Sequence, residues 1–513
     1  MKLRIIVGLS LVIISTVFSV DFVYAHGFGE RYDLPIPINY FLLGAAGAVA
    51  VSFFVIGWFM RHGAQNSEYP RLNLFKWKWA IQIGNILSVF GRFISVILLI
   101  VTVYAGLFGV HEPLDNFAPT FVWIIWWVGI GYISAFLGNI WAVLNPWYVI
   151  FRWAEIFLGI NRRHILPWPK KLDSWPALML FFLFAWVENV YSGAAQPFNL
   201  AILIILYSIF TFTGMTLFGK HVWLKNADPF FVLFSLFARF SPTEVRVIKN
   251  NNYNNVCENC TLGCFQNSDL PDCVDCYECW ENSEKILKQF SLRPWSVGLS
   301  RGERVTPALA AFHITALATV TFDGFAETPA WVSIQTLVWN LISYLPGRTS
   351  ATIETLGILI IPIVFALVYI QVCRLVSKVS AGQMSHKAVS LSFVFSLVPI
   401  ALAYNLSHYL SFILISGQQI LSLLSDPLGI GWNIFGTANH KVNIAVIDAR
   451  FAWITSVVSI VLGHIISVFI AHVISLRRTT SNKIAVRSQY PMLALMVFYT
   501  VISLWIVAQP IVE

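Results

Sequence analysis

The sequence predicts an all-α fold, a polytopic bundle of about ten transmembrane helices, and three observations predict it. Only 11% of the 513 residues are charged and 57% are apolar, against about 25% charged in a soluble domain. Apolar runs long enough to cross about 30 Å of hydrocarbon recur along the whole chain. Lysine and arginine gather in every second connection between those runs. Such a composition excludes a water-soluble globule. The net charge of +8 sits in short loops, where it reads as a topology signal facing a lipid bilayer and not as a footprint for nucleic acid.

In chain order, the first element is a signal peptide, residues 1–25. Basic MKLR precedes an apolar stretch from Ile5 to Val20, and Val23-Tyr24-Ala25 suits cleavage after Ala25; the other reading is an uncleaved anchor helix. Residues 26–249 hold the first five spans: Ile38–Met60, Leu87–Val110, Phe117–Leu144, Trp175–Tyr191 and Leu200–Phe218. Residues 250–285 form a polar, cysteine-rich loop, and residues 286–513 hold the last five spans: Val305–Phe322, Leu356–Val376, Val389–Leu410, Ala449–Ile474 and Pro491–Ala508. Pro229–Phe240 and Ala330–Leu345 read as interfacial segments, and Val389–Leu424 is too long for one straight helix, with Pro399 able to bend it.

The connections test this count. Arg61 to Lys78, Arg152 to Lys171, Lys220 to Arg246, Arg374 with Lys378, and Arg477 to Arg487 are basic, while the intervening loops are acidic or neutral. If the basic loops are cytoplasmic, both termini lie outside the cell membrane, which requires an even number of spans.

Six of the seven cysteines fall in residues 250–285: Cys257, Cys260, Cys264, Cys273, Cys276 and Cys279. Two C-x-x-C turns, Cys257/Cys260 and Cys273/Cys276, can close a tetrahedron around zinc, with Cys264 and Cys279 as replacement ligands or as ligands of a second metal. A cytoplasmic loop keeps its thiols reduced, whereas an outward-facing loop would favour three disulfides. No standard four-cysteine iron–sulfur spacing is present. Cleavage after Ala25 would expose His26 as an N-terminal residue. Its α-amine and imidazole together suit copper, with His111 or His440 as partner.

Ionisable groups in hydrocarbon cost at least about 2.5–3.5 kcal/mol each, which marks them as functional candidates. Asn85, Ser88, Arg92 and Ser95 share one helix face, with Arg92 able to snorkel. Glu188 lies near the outer end of the fourth span. Thr315, Thr319 and Asp323 form a stripe, Tyr404, Asn405 and His408 a second, and His464 with His472 a third. Such a core could bind a metal, relay protons or glue helices. Asp323, His408 and His464 together make the candidate catalytic site.

HGFGERYDLPIP at His26–Pro37, GNIWAVLNPW at Gly138–Trp147, FDGFAETPAW at Phe322–Trp331, FSLVPIALAYNLSHY at Phe395–Tyr409 and GHIISVFIAH at Gly463–His472 give the chain a resemblance. It resembles a family of bacterial and archaeal multi-span proteins labelled fenitrothion hydrolase; the cysteine loop departs from that pattern. The resemblance implies a polytopic envelope protein that hydrolyses an organophosphate triester. Three function classes follow. The first is a membrane-embedded, metal-dependent hydrolase of an unidentified small molecule. The second is a secondary transporter with a polar path through the bundle. The third is a non-catalytic subunit or assembly factor that meets a membrane-protein partner through the cysteine loop.

Overall fold

A computed structural model describes residues 37–60, 69–159, 165–248, 260–262, 272–301, 305–342 and 349–509. The expected signal peptide, His26, Cys257 and Cys264 lie outside these described residues. In chain order the helices begin with α1 (Ile38–Phe59), α2 (Lys78–Phe108), α3 (Phe117–Phe136) and α4 (Pro146–Phe157). Next come α5 (Trp175–Asn189), α6 (Pro197–Phe218), α7 (Lys220–Asn226), α8 (Pro229–Ala238) and α9 (Tyr277–Asn282). The second half contributes α10 (Pro307–Ala326), α11 (Pro329–Leu341), α12 (Ser350–Val379), α13 (His386–Ser425), α14 (Ala449–Arg478) and α15 (Asn482–Val507). Among the described residues, nine of these helices are long and apolar enough to cross a membrane. The protein is an all-α polytopic integral membrane protein.

The fourth expected span forms α5, whose 15 residues reach about 22 Å at 1.5 Å per residue. It nonetheless runs from one face of the bundle to the other. On the basic face, the segment before α5 meets the end of α6 through Leu166 N to Leu217 O, 2.8 Å. At the far end, Trp123 Nε1 donates to Ala194 O at 3.1 Å and Trp186 Nε1 to Thr355 Oγ1 at 3.0 Å.

The loops sort onto these two faces. On the basic face Arg71 pairs with Glu244, Arg152 and Lys220 pair with Glu281, Gln383 meets Thr480, and Arg477 donates to Ser300 O. On the opposite face Val110 N reaches Leu428 O at 3.1 Å, and Gln419 donates to Leu114 O. The connections that carry the lysines and arginines are therefore tied together in space.

A small sheet caps the basic face. Strands β1 (Leu72–Asn73), β2 (Thr243–Val247), β3 (Cys273–Val274) and β4 (Lys288–Leu292) pair antiparallel in the order β1-β4-β2-β3. Its centre is ionic. Arg293, fully buried, donates to Glu244 Oε2 at 3.2 Å and to the Ala238 and Ser241 carbonyls, while Glu244 also accepts from Arg71 Nε at 2.6 Å.

Helix α8 corrects an expectation. Its phenylalanines suggested an interfacial segment, yet eight of its ten residues are buried. Asp228 starts it by accepting from the Phe230 and Phe231 amides, both at 2.9 Å, with Pro229 at the first turn. A helix apolar all round packs inside a bundle as readily as at a headgroup layer. By contrast α11, the other expected interfacial segment, exposes Leu337 and Leu341.

Candidate functional site

The buried polar groups of four helices converge near the face opposite the cap. Helix α10 starts at Thr306, whose Oγ1 accepts from Leu309 N at 3.3 Å, and Pro307 fits the first turn. Small residues keep α10 slender, so it lies deep in the bundle with Asp323 near its end. At Gly324 any side chain would collide with the Tyr404 hydroxyl, and the same point is 3.4 Å from His408 Nδ1. Helix α13 reaches the site after breaking into 3-10 geometry at Val394–Leu397, just before Pro399. Helix α5 brings Glu188. Helix α3 is π-helical over Thr120–Gly129, and that stretch carries Trp127; π geometry of this kind recurs at functional sites.

These elements build one hydrogen-bonded group. His408 Nε2 donates to Asp323 Oδ2 at 2.9 Å, and Tyr409 Oη lies 2.6 Å from the same oxygen. Tyr409 Oη is also 3.1 Å from Glu188 Oε1, which accepts from Trp127 Nε1 at 2.6 Å. A tyrosine hydroxyl has one hydrogen to give. One hydrogen shared between two ionised carboxylates makes two weak bonds, whereas a proton on one carboxyl, donated to the tyrosine oxygen, gives each contact its own hydrogen bond. The geometry therefore accommodates one mobile proton among Glu188, Tyr409 and Asp323. Beside the group lies a cavity of about 40 Å³ whose wall includes Glu188, Asn189, Thr319, Asp323, Asn405 and Tyr409, with room for at least one water.

His464 stands apart from Asp323 and His408. Its Nδ1 donates to Ile460 O at 2.8 Å, its Nε2 is buried without a hydrogen-bond partner, and its ring faces Tyr499 at 5.9 Å. His472, on the same helix, is engaged by Gln489 and the Met60 carbonyl. Arg92 Nε reaches Val143 O at 3.3 Å, toward the basic face. The sequence marked Asp323 and His408, but Tyr409 as a bridge and Trp127 as a donor went unmarked. The available signal was the adjacency of Tyr409 to His408.

A second cluster lies in the cap. Among the described residues, Cys260, Cys276 and Cys279 are the group of histidine, cysteine or acidic side chains that could hold a metal ion, with ligand atoms all within 4.8 Å of one another. Cys276 precedes α9 and Cys279 lies within its first turn. The carboxylate of Glu278 braces the Cys260 turn, accepting from Thr261 N at 3.1 Å, Thr261 Oγ1 at 2.7 Å and Leu262 N at 3.2 Å. Cys273, on β3, is buried in the same apolar cluster but outside this trio. Among the described residues the trio therefore pairs Cys276 with Cys279, at the same spacing as the expected Cys273/Cys276 turn.

Next to the trio, Glu281 binds Lys220 Nζ at 3.0 Å, His221 Nε2 at 2.7 Å and Tyr148 Oη at 2.8 Å. Burial alone would raise its pKa, but the hydrogen bond and charge of His221, then Lys220 and Tyr148, hold the carboxyl well below the usual range.

No protein-family model, curated protein or solved structure matches the chain, so function is read from the chemistry of these two clusters.

Proposed function

We propose that the protein is a secondary transporter that couples solute movement to a proton held among Glu188, Tyr409, Asp323 and His408. The observation that carries this reading is the single Tyr409 hydroxyl within hydrogen-bond distance of two carboxyl groups on different helices. A change in protonation at that point alters the bond between α5 and α10, which is what a coupled carrier needs. Helix breaks favour the same reading: α13 leaves α-geometry at Val394–Leu397 and again at Ser416–Gln419, and α3 carries the π stretch. Discontinuous helices at a buried polar site are a recurrent transporter device. The basic face is cytoplasmic in this account, following the distribution of lysine and arginine.

The hydrolase reading implied by the resemblance would use the Asp323–His408 pair as a general base. One experiment separates the two. Purified protein is sealed into liposomes with a pH dye inside, a proton gradient is imposed, and a panel of small organic solutes, including a phosphotriester, is offered. The transport account predicts that a solute accumulates chemically unchanged with a matching internal pH change, and that Asp323→Asn abolishes both. Cleavage of the phosphotriester by detergent-solubilised protein, with no flux in vesicles, would replace transport by hydrolysis.

A further inference from the structure

We propose that Cys260, Cys276 and Cys279 bind zinc, and that the ion fixes α9 and with it the Glu281 contacts that join α4 to α7. This is independent of the transport reading. Zinc–thiolate bonds of about 2.3 Å in a tetrahedron place sulfurs about 3.8 Å apart. Cys260 Sγ and Cys276 Sγ are 3.7 Å apart, and all three sulfurs fall within 4.8 Å. The three arrive by different routes: Cys260 on a turn clamped by Glu278, Cys276 at the start of α9, and Cys279 inside it. Buried apolar neighbours Val247 and Leu287 shield them, and a tetrahedral zinc takes one further ligand besides these three thiolates.

What the ion would hold in place is specific. Helix α9 is six residues long, too short to be stable by itself. Yet Trp280 packs on Phe75 from the α1–α2 connection, and Glu281 gathers Tyr148 and Arg152 of α4 with Lys220 and His221 of α7. A metal anchored through Cys276 and Cys279 makes this short helix a rigid joint for three connections on the basic face. The ligand roles in this proposal fall to the trio; Cys273, whose Cα pairs with Val247 in the sheet, lies outside that group.

The test is elemental analysis of full-length protein purified from membranes without added metal, for the unaltered chain and for Cys279→Ser and Cys273→Ser. The expected result is about one zinc per chain, lost in Cys279→Ser and kept in Cys273→Ser. Amide exchange in α4 and α7 should rise at least several-fold in Cys279→Ser and stay unchanged in Cys273→Ser. If Cys279→Ser fails to fold, zinc release is followed in the unaltered chain with a mercurial thiol reagent and a zinc dye, and should track thiol modification. Metal-free protein, iron in place of zinc, or zinc lost equally in Cys273→Ser would overturn the assignment. Unchanged exchange in zinc-free Cys279→Ser would overturn the joint.

Discussion

Glu188 on α5 and Asp323 on α10 are joined through one hydroxyl, with Tyr409 Oη 3.1 Å from the first carboxyl and 2.6 Å from the second. His408 Nε2, 2.9 Å from Asp323, extends the group onto α13, which also carries Tyr409. Three helices are therefore tied through these four side chains, and in the transport reading the pattern of their bonds depends on where one proton sits.

Tyr409→Phe keeps the ring and removes the bridge. Two buried carboxyl groups then lose a shared partner, at a cost of about 1–3 kcal/mol. Thermal unfolding in detergent should shift down accordingly, and proton-coupled uptake should fall at least tenfold. Adding Asp323→Asn should recover part of the stability but not uptake, because a neutral amide costs less than a carboxylate when it loses a partner and holds no mobile proton. Uptake that survives Tyr409→Phe would remove the bridge from the mechanism.

The ionic centre of the cap predicts a large stability effect far from that site. Arg293→Met would strip a fully buried carboxylate, Glu244, of one cation and leave the Ala238 and Ser241 carbonyls without this donor. Breaking a buried pair from one side costs about 3–5 kcal/mol. The expected outcome is increased proteolysis of the 238–248 segment in detergent. Arg293→Lys should rescue it only in part, since an ammonium cannot serve the same fork of acceptors. Wild-type resistance in Arg293→Met would contradict this account of the cap.

Helix packing gives a third prediction. A side chain at Gly463 on α14 would meet Pro399 O of α13 at 2.7 Å and Ala403 Cβ closer still. Gly463→Val has to push apart the helix that carries His408 and Tyr409, and overpacking of this kind costs about 1–3 kcal/mol. Melting temperature and uptake should fall together in Gly463→Val, and less in Gly463→Ala. A change in neither would mean that the contact can yield without disturbing the site.

The bundle was legible because lipid imposes a simple rule on length and polarity. Ile38–Met60 became Ile38–Phe59, and Ala449–Ile474 became the longer Ala449–Arg478. Helix α2 begins at Lys78, nine residues before the expected Leu87, since hydropathy finds the membrane-buried part of a helix and not its ends. The bend foreseen around Pro399 appears as the 3-10 turn at Val394–Leu397. The cap was not legible. Its strands are two to five residues long and come from four separate segments, so none carries a repeating pattern of its own.

The sites were legible by residue type and less so by partner. Asp323 and His408 stood out because charge in hydrocarbon is costly, and they do meet. Placing His464 with them required the relative rotation of α10, α13 and α14, which a single sequence does not encode in any local pattern. In the cysteine loop, Cys276 belongs to two overlapping C-x-x-C spacings, with Cys273 and with Cys279. The fold places Cys279, in a helix, within 4.8 Å of Cys276 and Cys260, and Cys273, on a strand, outside that group.

The most direct measurement on the acid–histidine group is the infrared spectrum of purified protein near neutral pH, read for the carbonyl band of a protonated carboxyl. A proton held among Glu188, Tyr409 and Asp323 predicts such a band, shifted in Tyr409→Phe and weaker in the Glu188→Gln, Asp323→Asn double variant. A spectrum without that band, or one identical in the double variant, would contradict the shared proton and the coupling built on it.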